Sequence, residues 1–163
     1  MTIQDLKISE VIRPETIDLD LKGVGSKDDL INCLADKLET AGLLVDKEAY
    51  IESVHEREKL GPTYMGNFIA IPHGKSPAVR EAGIAFGRSL DGFEYITEDG
   101  GGIVKLVFLL AIPDRTSPDA YMAVLAKLAR LLVHEKFREE LMVAKDYNDV
   151  FTAIKNGEQY LID

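Results

Sequence analysis

The amino-acid sequence predicts an α/β protein, a three-layer α/β/α sandwich with a mixed central sheet. Residues 103–112, "IVKLVFLLAI", form a nearly continuous apolar run, which is typical of a strand that is covered on both faces. The predicted elements follow the order strand, two helices, three strands and three helices. This order favours a sheet with helices packed against its faces.

The first half of the chain contains one predicted strand and two predicted helices. Residues 16–21, "TIDLDL", alternate apolar and polar side chains, which predicts a half-exposed strand. Ser26 is an N-cap candidate for a helix that Gly42 ends. Asp46 is the N-cap candidate for a second helix, which is predicted to run to about Lys59.

The second half contains three predicted strands and three predicted helices. Ser117 and Pro118 suit the N-cap and N1 positions of a long helix, and Asp146 is the N-cap candidate for the last helix. The strands are predicted at residues 68–71, 82–89 and 103–112, and the two shorter helices at 135–144 and 148–156. No repeat or linker is visible, so residues 1–163 are predicted to form a single domain.

Charge and composition restrict the class of protein. The net charge of −9 argues against a nucleic-acid binder and against attraction to an anionic membrane surface. The first twenty residues are charged throughout and lack the apolar core of a signal peptide. No apolar run approaches the ~18 residues that cross a bilayer, and the single Cys33 cannot form an internal disulfide. These features predict a cytoplasmic protein.

The segment "NFIAIPHGKS", residues 67–76, places a histidine after a predicted strand. Pro72 has no N–H and is predicted to end that strand, and Gly74 to let the chain turn and to leave room beside the ring. Ligands often bind where strands of open α/β sheets end. A neutral imidazole, with an ordinary pKa of ~6.5, can act as a nucleophile. His73 is therefore predicted to lie open at a sheet edge as a candidate nucleophile, and a purely structural histidine is the alternative.

Arg57 is a second candidate. It continues the apolar stripe of Tyr50 and Val54, so its guanidinium lies on the inward face near the end of a helix, where it could hold two phosphoryl oxygens. The alternative is a surface arginine paired with a neighbouring glutamate. His55 lies about 200° around the same helix from Arg57 and is read as a surface residue. The segment "HERE" lacks the second histidine of a zinc helix, and neither a metal nor a cofactor is predicted.

The segment "REKLGPTYMGNFIAIPHG", residues 57–74, resembles the active-site segment of a known family. The family is the IIA components of the bacterial phosphoenolpyruvate-dependent sugar phosphotransferase system, in the mannitol/fructose class. The portion "REKL-x-PTY-x-G" is most similar to the mannitol type. The likeness extends from about Ile8 to Asn156 through the element order and the later "LLAIP…LAKLARLL". Together these parts are far more specific than any one of them.

The resemblance implies a phosphocarrier. His73 would accept a phosphoryl group at Nε2 from the phosphocarrier protein HPr and pass it to a cysteine of a IIB component, with the transported sugar phosphorylated downstream. A hydrogen bond would hold Nδ1. Arg57 matches an arginine that stabilises the phosphoryl group, and Thr63 matches a threonine that supports the site by a hydrogen bond near the ring. The chain would need no cofactor and would meet a membrane IIC permease only through IIB.

The sequence departs from the family pattern at Tyr121. Aligning "LAKLARLL" places Tyr121 where the family usually has a second histidine, and His134 lies thirteen residues later. A tyrosine can donate a hydrogen bond to a phosphoryl oxygen but supplies no positive charge. Alternatively, Tyr121 is only the first core residue of its helix, and both interpretations remain open.

Three functions are therefore considered. The first is a phosphocarrier in sugar uptake, which the "PTY" wording favours. The second is a regulatory IIA-like protein that controls partners through its phosphorylation state, which the missing second histidine favours. The third is a degenerate binding module that is not phosphorylated, and the intact His73, Arg57 and Thr63 argue against it.

Overall fold

The structure is a computed structural model that describes residues 7–97 and 100–160. The first six of the twenty residues considered for a signal peptide lie outside the described part. A six-stranded mixed sheet lies between two helical layers, which confirms the predicted α/β/α class. Within the described residues, no helix is long and apolar enough to cross a bilayer.

Helices and strands alternate in blocks along the described residues. In chain order they are α1 (Ile8–Val11), β1 (Ile12–Asp18), α2 (Lys27–Thr40), α3 (Lys47–Lys59), β2 (Tyr64–Gly66), β3 (Ile69–Ala70), β4 (His73–Ser76), β5 (Gly83–Tyr95), β6 (Gly102–Pro113), α4 (Pro118–Leu132), α5 (Glu135–Val143) and α6 (Tyr147–Tyr160).

The predicted helix starts are confirmed by their caps. Each N-cap side chain accepts a hydrogen bond from the backbone N–H three residues later, which satisfies one of the free donors of the first turn. The pairs are Ser26 with Asp29 at 3.1 Å, Asp46 with Ala49 at 3.1 Å, Ser117 with Ala120 at 3.2 Å and Asp146 with Asp149 at 2.9 Å.

The sheet has the order β1-β5-β6-β3-β2, with β4 also paired to β6. The central pair, β5 and β6, is antiparallel, whereas β1 runs parallel to β5, and β3 and β4 run parallel to β6. Strand β6 lies mid-sheet, as predicted. Its side chains alternate between the layers: Val107 and Leu109 pack with α2 and α3, and Phe108 and Leu110 with α4 to α6.

The strand predicted at residues 68–71 is shorter than expected. Strands β2 and β3 form a hairpin in which Gly66 pairs with Ile69 and two residues make the turn. These residues, Asn67 and Phe68, have φ values of 53° and 66°, the sign pattern of a type I′ turn. Asparagine tolerates this backbone well, but phenylalanine does not, so propensity favours strand for Phe68 and the tertiary fold overrides it.

The strand before Pro72 ends at Ala70, as predicted, but the sheet continues beyond the proline. Strand β4 resumes at His73 and runs parallel to β6 in the register His73 with Leu110. Proline removes a backbone donor but keeps its acceptor, and the Pro72 carbonyl accepts a 3.0 Å hydrogen bond from the Leu110 N–H. Contact with β6 therefore continues across the proline.

Other boundaries also differ. The short helix α1 was not predicted, because four residues are too few to show a helical period. Strand β1 starts at Ile12 and ends at Asp18, four residues before the predicted start and three before the predicted end. Strand β5 continues beyond Ser89 through a shift in register between Arg88 and Phe93, which a strict alternation pattern does not anticipate.

Candidate active site

His73, the first residue of β4, is buried and only 3% exposed. Its Nδ1 lies 2.9 Å from the carbonyl oxygen of Ile71. Since a carbonyl oxygen only accepts, Nδ1 carries the proton of the neutral ring and Nε2 carries the free lone pair. The expectation of an imidazole open at the sheet edge is therefore wrong. The hydrogen bond at Nδ1 nevertheless leaves Nε2 as the nucleophilic nitrogen.

The ring is covered by the first turn of α4. Tyr121 meets His73 edge to face, with ring centroids 5.5 Å apart and ring planes at 78°. His73 registers with Leu110 of β6, and Leu110 belongs to the apolar cluster under α4. The parallel pairing of β4 with β6 thus turns the imidazole toward α4, and the tyrosine closes over it.

A cleft of about 390 Å³ brings three of the predicted site residues together. Arg57, His73 and Tyr121 all line it. The Arg57 Nη1 donates a 2.9 Å hydrogen bond to the Gly61 carbonyl, which orients the guanidinium and leaves its other N–H donors for a ligand. The full lining is Arg57, His73, Lys75, Pro118, Tyr121, Met122 and Leu125.

Lys75 was missed by the sequence analysis. It lies two residues after His73 on β4, so the two side chains point to the same face of the sheet. Its Nζ lies 6.0 Å from the centroid of the Tyr121 ring. The spacing of two residues from His73 could have identified Lys75, because residues two apart in a strand share a face. It was overlooked because no strand was predicted beyond Pro72.

The pKa of His73 is lowered from the ordinary value of 6.5. Burial is the largest cause, and the nearby charge of Arg57 acts in the same direction. The hydrogen bond to Ile71 and the charge of Glu58 oppose them. The imidazole is therefore neutral at pH 7, which is the form that has a lone pair to donate.

We expect a ring-nitrogen NMR titration to give His73 a pKa below 6.5 and Arg57→Met to raise it. As the pH falls through the lowered pKa, Nε2 gains a proton and the acceptor is lost. Because folding lowers this pKa, the stabilisation from the neutral ring is present above about pH 6.5 and declines below it. Arg13→Met, on the strand at the opposite edge of the sheet, is the control. A wild-type value at or above 6.5 would contradict the assignment.

Thr63 is buried, but its hydroxyl contacts other side chains than the His73 ring. It donates to Glu58 Oε1 and lies 3.1 Å from the Tyr95 hydroxyl. Its backbone carbonyl accepts a 3.0 Å hydrogen bond from the Ile71 N–H, and the Ile71 carbonyl is the partner of His73 Nδ1. The hydrogen-bond path from Thr63 to the ring therefore runs through the main chain.

Glu58, the residue after Arg57, is the centre of a polar cluster. Its side chain is only 4% exposed, and Oε2 lies 3.6 Å from Lys27 Nζ. The Tyr95 hydroxyl donates to Oε1 at 3.0 Å, and burial followed by the Glu58 charge raises the Tyr95 pKa, so the phenol stays protonated. The cluster fixes the start of the loop that contains Gly61, the partner of Arg57.

Gly74 is required by close packing. A Cβ at this position would clash with Ser53 Oγ and lie 3.1 Å from the backbone nitrogen of Val54, both on α3. Gly74 lies within β4 and its φ is not positive, so the predicted role in a turn is wrong. The small residue lets β4 approach α3 and thereby sets the distance between His73 and Arg57.

We expect Gly74→Ala to lower the free energy of unfolding by about 1–3 kcal/mol, since the added methyl overpacks this contact. Urea unfolding measures the change. Gly25→Ala is the matched control, because a Cβ there has its nearest neighbour at 4.0 Å. Removing the clashing hydroxyl with Ser53→Ala should restore part of the loss. Equal stability of the two alanine variants would refute the packing role.

The other two histidines lie elsewhere. His55 Nδ1 is 3.8 Å from Asp28 Oδ1, and both residues line a separate cleft of about 600 Å³. His134 is the N-cap of α5. It follows Tyr121 by thirteen residues, most of them helical, which corresponds to about 20 Å along a helix axis.

Comparisons with known proteins agree on one family. The family described as "Phosphoenolpyruvate-dependent sugar phosphotransferase system, EIIA 2" matches residues 10–157. A fructose-specific EIIABC component of the phosphotransferase system from Bacillus subtilis is 33% identical over 154 residues, which cover 94% of this chain and 24% of that protein. This chain thus spans about a quarter of the length of that relative.

Solved structures give the same result. The nitrogen regulatory protein IIA-Ntr from Neisseria meningitidis superposes with a TM-score of 0.79 at 33% identity, covering 90% of this chain and 98% of that chain. The mannitol enzyme IIA from Escherichia coli, solved in a complex with phosphorylated IIB, gives a TM-score of 0.72 at 25% identity, covering 89% and 99%. From the match over residues 10–157, this chain belongs to the EIIA 2 family of the phosphoenolpyruvate-dependent sugar phosphotransferase system.

Proposed function

We propose that this chain is a phosphocarrier that accepts a phosphoryl group from phospho-HPr on His73 and passes it to a IIB component during sugar uptake. The observation that carries the proposal is the hydrogen bond from His73 Nδ1 to Ile71, which leaves Nε2 as the nucleophile in the cleft that Arg57 also lines. We further propose that residues 1–163 act as one domain in the cytoplasm.

The transfer needs positioning and charge more than proton chemistry. The lone pair of Nε2 attacks phosphorus, and the bond between phosphorus and the donor breaks with its electron pair returning to the donor. Arg57 would stabilise the charge on the phosphoryl oxygens through the N–H groups that it does not use for Gly61. Pro118, the first residue of α4, also lines the cleft, so the positive end of that helix dipole is close to the ring.

A regulatory role is the second candidate. The IIA-Ntr protein from Neisseria meningitidis and the fructose-specific relative are equally similar to this chain in sequence, each at 33% identity. Tyr121, at the position where the family resemblance implies a second histidine, also favours regulation. In this alternative His73 is phosphorylated in the same way, but the phosphoprotein binds or releases a target protein instead of transferring the group.

Phosphorylation in a reconstituted system separates these functions. The chain is incubated with labelled phosphoenolpyruvate, enzyme I and HPr, and we expect an acid-labile, alkali-stable label. Transfer of the label to a IIB protein would support sugar uptake, whereas a phosphoprotein that transfers no label would support regulation. The IIB partner is suggested by the Escherichia coli complex. Absence of label on the wild-type chain would refute both and leave the binding module.

A further inference from the structure

We propose that Lys75 supplies a second positive charge to the phosphoryl group on His73 and that the Tyr121 ring holds it there. The inference deepens the proposed function and rests on it. It explains how this site can work with a tyrosine at position 121, since the charge would come from the neighbouring strand and the ring would position it.

The first observation is the shared face of β4. His73 and Lys75 are two residues apart and register with Leu110 and Ile112 of β6, respectively. Leu110 and Ile112 both belong to the apolar cluster under α4, which shows that this face of the sheet is directed at that helix. The backbone alone therefore brings the ammonium and the imidazole to the same side.

The second observation is that one aromatic ring contacts both groups. The Tyr121 ring centroid is 5.5 Å from that of His73 and 6.0 Å from the Nζ of Lys75. A separation of 6.0 Å is at the outer limit for a cation–π contact, so the attraction is weak. The ring can therefore orient the lysine and still let the ammonium move to a stronger anionic partner.

The third observation is the charge of the cleft. Among the described residues that line it, Arg57 and Lys75 are the two basic side chains besides His73, and none is a carboxylate. Burial keeps His73 neutral and raises the pKa of Tyr121, so the tyrosine contributes no negative charge at pH 7. Two cations with no lining anion match a phosphoryl group that carries close to two negative charges.

Phosphoramidate is a suitable probe, since this small donor phosphorylates histidine without a docking surface. We expect Lys75→Gln to slow labelling of His73 roughly tenfold, because a unit charge near the phosphoryl oxygens contributes on the order of that factor. A ³¹P titration of the phosphorylated Lys75→Gln variant should show the phosphoryl pKa raised by about one unit relative to wild type, because a nearby positive charge is lost. Lys75→Arg, which keeps the charge, should retain most of both properties.

The position of Tyr121 is tested with two variants. Tyr121→Phe keeps the ring and should leave the labelling rate within about twofold of wild type, whereas Tyr121→Leu should slow it about threefold to fivefold. Combining Lys75→Gln with Tyr121→Leu should cost no more than Lys75→Gln alone, because the ring acts through the lysine. Equal losses in the two Tyr121 variants, or a double variant whose loss is the sum of the two single losses, would overturn this part of the inference.

Lys155 offers a matched control. Its Nζ lies 5.4 Å from the Phe151 ring centroid on α6, so Lys155→Gln removes the same charge from the same kind of contact away from the cleft. If Lys75→Gln and Lys155→Gln behave alike in rate and in ³¹P titration, the inference about Lys75 is wrong. The proposed function would survive that result, provided that the wild-type chain is labelled at His73 by HPr. Lys75→Met, which keeps the apolar stem, serves if the glutamine variant does not fold.

Discussion

Replacement of His73 by glutamine is expected to abolish phosphoryl labelling, with the initial rate lowered by at least about 10³-fold. The amide has no nucleophilic nitrogen lone pair, so no bond to phosphorus can form. Glutamine is nevertheless similar in size, and its N–H₂ group can donate to the Ile71 carbonyl as the imidazole Nδ1 does. A loss of labelling in this variant can therefore be assigned to the missing nucleophile and not to a loss of the fold. The measurement is the rate of label incorporation from HPr and from phosphoramidate.

The remaining histidines provide the controls. His55→Gln and His134→Gln should be labelled at the wild-type rate, because neither residue lines the cleft of His73 and Arg57. Circular dichroism and urea unfolding should show that the His73 variant is folded. Persistent label on His73→Gln, together with its loss in either control variant, would show that another histidine is the acceptor.

Replacement of Arg88 by methionine is expected to lower the free energy of unfolding by about 3–5 kcal/mol, a larger loss than that expected for Gly74→Ala. Arg88 is 8% exposed and lies on β5. Its Nε donates to the Leu19 carbonyl at 3.0 Å, and its Nη1 donates to the carbonyls of Leu141, Met142 and Ala144 at 2.9, 3.1 and 2.7 Å. Without the guanidinium, these buried and partly buried acceptors lose a charged donor, and each fully buried loss costs about 1–3 kcal/mol before relaxation.

The guanidinium therefore binds carbonyl groups at the C-terminal end of α5 and connects that end of the helix to β5. Urea unfolding should show a lowered midpoint with an unchanged slope. Arg130→Met, an exposed arginine in the last turn of α4, is the control and should change stability by less than about 0.5 kcal/mol. Arg88→Lys should recover only part of the loss, since one ammonium cannot reach four carbonyls in a planar arrangement. Equal stability of Arg88→Met and the control would refute the role.

Local signals accounted for the features that the sequence predicted correctly. The N-caps at Ser26, Asp46 and Ser117 depend on contacts within four residues, so their residue types suffice to place the helix starts. The apolar run of β6 reflects burial on both faces, which its composition records directly. The candidates Arg57 and Tyr121 do line one cleft with His73, as the family resemblance implied.

The site residues that the sequence analysis missed depend on contacts between distant segments. Glu58 joins Thr63 and Tyr95, which are far apart in the chain, and neither shows a pattern that indicates the other. Lys75 was missed because Pro72 suggested the end of a strand, although the proline acceptor still pairs with β6. Arg88 was read only as part of a strand, since the carbonyls that it binds are more than fifty residues away.

The sequence by itself determined the family, the α/β/α class and the residue types that the proposed phosphoryl acceptor needs. Only the tertiary structure decided that His73 is covered by Tyr121, that Ile71 holds its Nδ1 and that Lys75 shares its face. The physical reason is that residue type and periodicity report burial and local hydrogen bonding. The partner that holds Nδ1 and the charges that surround Nε2 follow from the pairing of β4 with β6 and the packing of α4 across them.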